Sequence, residues 1–293
     1  MNNPLTRPGL RPEEESGLSS SKLLRNIKGI IFDFDGTLFD NSLIPFYLIA
    51  QYPPDFLRIW RERLTRKRFT GRDYSTPEKY YRTFFLAFGK VCRRSPHKVR
   101  HWYFNHYMPR MVRVLKRHYK PRPGVIELFG LFDAIAKARA KAPPPKSSYP
   151  HDFNAGAVKI AVYSDYPFLK ERMEVLGILP NPEIKLYGPD SFGAQKPTAR
   201  PFKAIAADFG VTPEECLVVG DREETDGIGA FKAGMRFFCL ETGRKRYFRL
   251  DPYRCPEMKD GKSHGPSLIM YAGNWAELVK LLCEKFRQYT KGE

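Results

Sequence analysis

Short apolar runs rich in β-branched or aromatic residues recur at positions 30–32, 158–163, 184–187, 217–219 and 237–240. Between the later runs lie stretches with helical spacing, at 125–140, 166–176, 199–209 and 226–233. Strands that are apolar on both faces and alternate with helices predict an α/β fold: a doubly wound, Rossmann-like parallel sheet covered by helices on both sides. Residues 41–120 differ, with amphipathic helical spacing, many aromatics and breaks at Pro53-Pro54, Thr70-Gly71, Ser75-Thr76-Pro77 and Ser95-Pro96. They predict about four helices inserted between the first strand and the rest of the sheet, and Pro121-Arg122-Pro123-Gly124 marks the return.

Charge sharpens that division. The 293 residues carry a formal charge of +18, and residues 41–120 hold 19 Lys and Arg against 4 Asp and Glu, a surplus of 15. The expected organisation is a flexible tail over 1–25, an α/β core over 26–40 and 121–293, and a basic helical domain over 41–120. Two insertions interrupt the core. The first, 141–156, follows a helix, whereas 243–266 follows a strand and so lies at the strands' carboxyl ends, where α/β sheets gather their ligands.

Five scattered cysteines form no CxxC pair, which argues against a disulfide framework or a zinc ribbon and for a reducing compartment. The tail lacks the apolar core of a secretory signal, and no apolar run approaches the roughly 20 residues that span a bilayer. The chain therefore reads as cytoplasmic, with no transmembrane segment; its oligomeric state is not readable. His97, His101 and His106 read as exposed histidines of a basic helix rather than as a zinc site.

Polar residues fall at the ends of several predicted strands. Asp33 and Asp35 follow the first, Ser164 and Asp165 the second, and the run from Gly220 to Asp226 follows 217–219, while Lys196 precedes the helix at 199–209. A parallel sheet brings these together at one edge. Clustered carboxylates need a cation to ionise jointly, and hard oxygen ligands suit Mg²⁺. A lysine and a hydroxyl beside that cation suit a phosphate dianion, and a carboxylate is a competent nucleophile toward it.

These residues resemble the haloacid dehalogenase (HAD) superfamily, in particular its phosphoglycolate-phosphatase-like branch with a helical cap. Its pattern stands here as Asp33-Phe34-Asp35-Gly36-Thr37, Ser164, Lys196-Pro197 and Gly220-Asp221 through Asp226. The resemblance implies Asp33 as nucleophile and metal ligand, and Asp35 as general acid and base with its backbone carbonyl on the metal. It implies Thr37, Ser164 and Lys196 as phosphate-binding residues, Asp221 as a Mg²⁺ ligand and Asp226 as an outer or alternative one. It also implies that 41–120 is the cap. Asp35 marks the phosphatase and phosphomutase branches, since the superfamily's dehalogenases lack this acid.

The leading expectation is a Mg²⁺-dependent phosphatase that hydrolyses a small anionic phosphate monoester through an aspartyl-phosphate. A phosphomutase of the same superfamily, or a nucleic-acid or anion-binding protein using the basic cap, are the alternatives. Polyanion contact through that cap is a further expectation.

Overall fold

The computed structural model describes residues 23–141, 158–178, 183–242 and 270–287. Both expected insertions fall outside the described residues, apart from Lys141 at a helix end. The chain forms β1 (Gly29–Asp33), β2 (Lys159–Tyr163), β3 (Ile184–Tyr187), β4 (Cys216–Gly220), β5 (Arg236–Leu240) and β6 (Met270–Gly273). These make one parallel sheet in the order β3-β2-β1-β4-β5-β6. The first five strands match the apolar runs; the edge strand β6 was not among the expected elements.

The helices follow from the residue pattern. In the insertion they are α1 (Ile44–Gln51), α2 (Phe56–Phe69), α3 (Pro77–Cys92), α4 (Pro96–Trp102) and α5 (Met108–His118). The core adds α6 (Val125–Lys141), α7 (Leu169–Val175), α8 (Pro189–Phe192), α9 (Ala199–Phe209), α10 (Ile228–Ala233) and α11 (Trp275–Arg287). α4 and α5 join through a wide π turn at Tyr103–Tyr107. Pro109 stands two residues after it, and the wider turn relieves the clash a proline ring makes with the preceding turn. α7 begins later than the spacing predicts, because Pro167 disfavours helical geometry at Tyr166 and Phe168 adopts φ 60°.

Successive residues of β1 feed opposite layers, which explains its continuous apolar sequence. Ile30 and Phe32 pack with Phe129 and Phe132 of α6 and Trp275 and Leu278 of α11. Ile31 packs with Phe202 and Ile205 of α9 and Ala230 of α10. β1 and β4 are neighbours at the point where strand order reverses, the crevice that binds ligands in such sheets. The expected tail ends earlier than residue 25: Leu23 and Leu24 are buried, and the Leu23 carbonyl accepts a hydrogen bond from Arg236 Nη1.

The insertion is a mainly helical cap, and it is fastened to the core away from its two chain connections. Asp73 and Ala194 form an antiparallel bridge, Gly71 N donates to the Lys196 carbonyl (2.9 Å) and Tyr74 N to the Gly193 carbonyl (3.0 Å). Gln195 Nε2 donates to Tyr80 Oη (2.7 Å), and Arg200 pairs with Asp73. Gly193 has φ +62°, and a Cβ there would sit 2.1 Å from the Thr76 carbonyl oxygen. Gly193→Ala is expected to cost about 2 kcal/mol or more, read as a lower Tm by calorimetry; an unchanged Tm would mean that this contact is not held in solution.

The basic run of α2 is partly internal: Glu62 and Arg66 are buried, with Arg66 bonded to Glu62 Oε1 (2.6 Å) and Tyr103 Oη (2.7 Å). Arg110 of α5 is likewise buried against Asp55 Oδ2 (2.9 Å), which also accepts from Trp102 Nε1. Part of the cap's positive charge is therefore internal structure. Leu57, Trp60 and Leu64 of α2 point outward instead.

Candidate active site

Three strand ends deliver the site. Asp33 closes β1, Ser164 follows β2 and Asp221 follows β4, with Asp33 in register with Tyr163 and Phe32 with Val219. Asp226 comes from the wide turn Glu223–Gly227 and Lys196 from the loop before α9. Among the described residues, ligand oxygens of Asp33, Asp221 and Asp226 lie within 4.8 Å of one another, and all three side chains are buried. Lys196 Nζ sits between two of them, 2.5 Å from Asp33 Oδ1 and 2.7 Å from Asp226 Oδ1. It also lies over the Tyr163 ring. Thr37 Oγ1 donates to Asp33 Oδ2 at 2.9 Å.

Burial dominates the electrostatics. It pushes the Asp33 carboxyl up to about 7, with Lys196 pulling the other way and Asp226 and Asp35 adding to the rise. Asp226 is likewise pushed up by burial, to about 6, against Lys196. Lys196 is opposed by its own burial, but Asp226, Asp33 and Asp165 together hold it charged, well above the usual lysine range. Three carboxylates facing one ammonium leave an anionic surplus that a divalent cation would balance.

The donor set fits Mg²⁺. The three clustered side chains all offer carboxylate oxygens, the hard ligands that ion selects. The chain also leaves room for them: Gly36 has φ +106°, and a Cβ there would stand 2.6 Å from Asp221 Oδ2. A Cβ at Gly220 would stand 2.6 Å from the Asp226 side chain. Both glycines permit the close approach that gathers the acids.

Asp35 stands apart from the three. Arg172 Nη1 donates to both of its carboxylate oxygens, at 2.8 and 2.9 Å, and Ser164 Oγ donates to Oδ2 at 2.7 Å. Arg172 is fully buried; its Nη2 donates to Ser164 Oγ and to the Tyr166 carbonyl, and its guanidinium lies over Phe34. The structure thus commits the Ser164 hydroxyl to Asp35. Thr37 and Ser164 are both fully buried and lie behind the cavity wall. Asp165 holds the Lys196 loop by accepting from Lys196 N, and burial raises its carboxyl.

A cavity of ≈ 250 Å³ is walled by Asp33, Asp35, Lys196, Asp221 and Asp226, with Arg63 and Met111 contributed by the cap and Arg222 by the core. The cap also reaches the core here, since Arg66 Nη1 donates to the Asp165 carbonyl and its guanidinium lies 4.1 Å from the Tyr166 ring centroid. Sequence reasoning missed Arg172, Arg63 and Arg222. A basic residue eight positions after Ser164, inside a helix, carries no spacing signal, and its partner Asp35 is 137 residues away. Asp40 accepts from Ser42 N in a local turn, and α1 has no side-chain cap.

Residues 27–234 match the haloacid dehalogenase-like hydrolase family, which is most of the chain. The chain belongs to that family. As a HAD-like hydrolase it is similar to a phosphoserine phosphatase of Thermus thermophilus, 36% identical over 69 residues, 24% of this chain and 26% of that protein. The match therefore spans about a quarter of that relative. Among solved structures, 2-haloacid dehalogenase from Pseudomonas syringae pv. Tomato DC3000 superposes with TM-score 0.51 and 17% identity, covering 88% of this chain and 99% of the other. A HAD phosphatase from Thermococcus onnurineus gives 0.49 and 15%, covering 87% and 98%. At these identities the structural likeness concerns the HAD fold alone.

Proposed function

We propose that the protein is a Mg²⁺-dependent phosphatase that hydrolyses a small anionic phosphate monoester through an aspartyl-phosphate on Asp33. The observation that carries this reading is the convergence of Asp33, Asp221, Asp226 and Lys196 at the carboxyl ends of β1 and β4, with Asp35 two residues beyond Asp33. Asp33, Asp221, Asp226 and the Asp35 carbonyl would hold the ion. When bound, Mg²⁺ supplies charge neutralisation for the phosphoryl oxygens.

The chain's own residues do the rest. A carboxylate oxygen of Asp33 attacks phosphorus, the bond to the leaving oxygen breaks, and Asp35 gives that oxygen its proton. Asp35 then takes a proton from water, which attacks the phosphorus and releases inorganic phosphate, restoring Asp33. Lys196 balances charge on Asp33 throughout, and Thr37 fixes the Asp33 carboxylate plane. Arg172 and Ser164 hold Asp35 while it is charged. The cap, through Arg63 and Met111, closes the cavity and admits anionic substrates.

A screen of phosphorylated metabolites with and without Mg²⁺ tests the proposal. The expected outcome is phosphate release that chelation abolishes and added Mg²⁺ restores, with Asp35→Asn slower by roughly 10²–10⁴-fold. Phosphate release without an isomeric sugar phosphate separates the phosphatase from a mutase. Full activity in EDTA, or wild-type rates for Asp35→Asn, would contradict the assignment.

A further inference from the structure

α2 buries the Glu62–Arg66 pair and leaves three large apolar side chains exposed. Leu57, Trp60 and Leu64 are 54%, 53% and 37% exposed, and at spacings of three and four residues they share one face. Phe56 at the helix start, and Leu43 and Phe46 at the start of α1, are also exposed, and α1 contacts α2. On the helical wheel the stripe is flanked by exposed Arg63 and Lys67 on one side and exposed Arg68 on the other. The opposite face buries Ile59, Glu62, Thr65, Arg66 and Phe69. A stripe of Leu and Trp in water does nothing for the fold, and contiguous apolar surface with a polar rim marks a contact site.

From this arrangement we infer that the outer face of α2 docks on an anionic lipid surface, with Leu57, Trp60 and Leu64 entering the headgroup boundary and Arg63, Lys67 and Arg68 meeting the phosphates. Trp at the interface, Leu below it and Lys or Arg beside it are what such a boundary accommodates. Charge complementarity selects this occupant. Residues 41–120 carry a surplus of 15 positive charges, so a second copy pairing through the same face would bring two like-charged caps together. A nucleic acid would use the cations but has no use for Leu57 and Leu64. No helix among the described residues is long and apolar enough to cross a membrane, so the association is peripheral. Arg63 belongs both to this face and to the cavity wall, which sets the lipid surface beside the active site.

Trp60 makes the inference measurable, because it is the exposed tryptophan while Trp102 and Trp275 are both 6% exposed. The full-length protein is titrated with vesicles of phosphatidylcholine alone and of an equal mixture with phosphatidylglycerol, following tryptophan emission and co-sedimentation. The expected result is a shift to shorter wavelength and sedimentation with the mixed vesicles, about tenfold or more weaker with neutral ones, and weakened by salt. The variant Leu57→Ala, Trp60→Ala, Leu64→Ala is expected to lose about tenfold or more in partitioning, while hydrolysing a soluble aryl phosphate at the wild-type rate. Equal vesicle binding by that variant, or equal binding to neutral vesicles, would overturn the inference. So would absence of vesicle binding together with either a dimer or an oligonucleotide complex that the triple variant abolishes, which would assign the face to a second copy or to nucleic acid.

Discussion

Asp33→Asn is expected to leave a folded protein that has lost at least about 10⁴-fold in turnover, because the variant removes the atom that attacks phosphorus. The same substitution is expected to raise the melting temperature of the metal-free protein at pH 8. Burial raises the Asp33 carboxyl from its ordinary 3.8 to about 7. The protonated group therefore contributes stability that is fully present below 3.8 and lost as pH rises through about 7. At pH 8 the wild type carries an ionised Asp33 beside Asp226 and Asp35, and Asn relieves that repulsion. The wild-type Tm without metal should thus fall between pH 5 and pH 8, and the Asn variant should fall less. Added Mg²⁺ should reverse the order by stabilising the wild type more. A variant that melts well below the wild type at pH 8 would mean that Asp33 is held mainly by its bonds to Lys196 and Thr37.

Arg172→Met is expected to be the most damaging substitution for the fold among the residues around the site. It removes a buried guanidinium with four hydrogen bonds to Asp35, Ser164 and the Tyr166 carbonyl. Breaking a buried ion pair from one side costs roughly 3–5 kcal/mol. The Asp35 side chain is 18% exposed and partly hydrated in the absence of its partner, so the lower end applies. For a protein of this size about 3 kcal/mol corresponds to roughly 6–12 °C in Tm. A double-mutant cycle checks the cause: Asp35→Asn in the Arg172→Met background should cost clearly less stability than in the wild type. Additive effects would show that Arg172 acts through the Tyr166 loop rather than through Asp35. Because Arg172 positions Asp35 rather than touching the reacting atoms, Arg172→Lys should retain partial turnover with an altered pH profile.

The sheet was legible because β1 to β5 are short runs rich in apolar residues, and β1, β2 and β4 each end in polar residues. Asp33, Ser164 and Asp221 could be placed at one edge from strand order alone, since consecutive strands in a parallel sheet present the same end. Neither α11 nor β6 was among the expected elements: β6, Met270–Gly273, holds no β-branched residue, although Trp275, Leu278, Leu282 and Phe286 of α11 do have helical spacing. The cap was legible as helices but not in its polarity. In α2 the residues that look solvated, Glu62 and Arg66, satisfy one another and Tyr103 inside, while Leu57, Trp60 and Leu64 face outward. Only the tertiary packing reveals that inversion, as it does for Arg172, whose role is set by a partner on another element. The glycines carry a similar lesson: Gly36 reads as a turn residue, but its place is fixed by the Asp221 carboxylate beside it.

The account stands on Asp33 as the covalent carrier of the phosphoryl group. The protein is mixed with Mg²⁺ and a substrate found in the metabolite screen, quenched in acid during turnover, and its peptides are weighed by mass spectrometry. The expected result is one added phosphoryl group on the peptide containing Asp33, present with Mg²⁺ and absent in Asp33→Asn. Turnover that proceeds with no phosphoryl group on that peptide, or with one mapped to another residue, would contradict it.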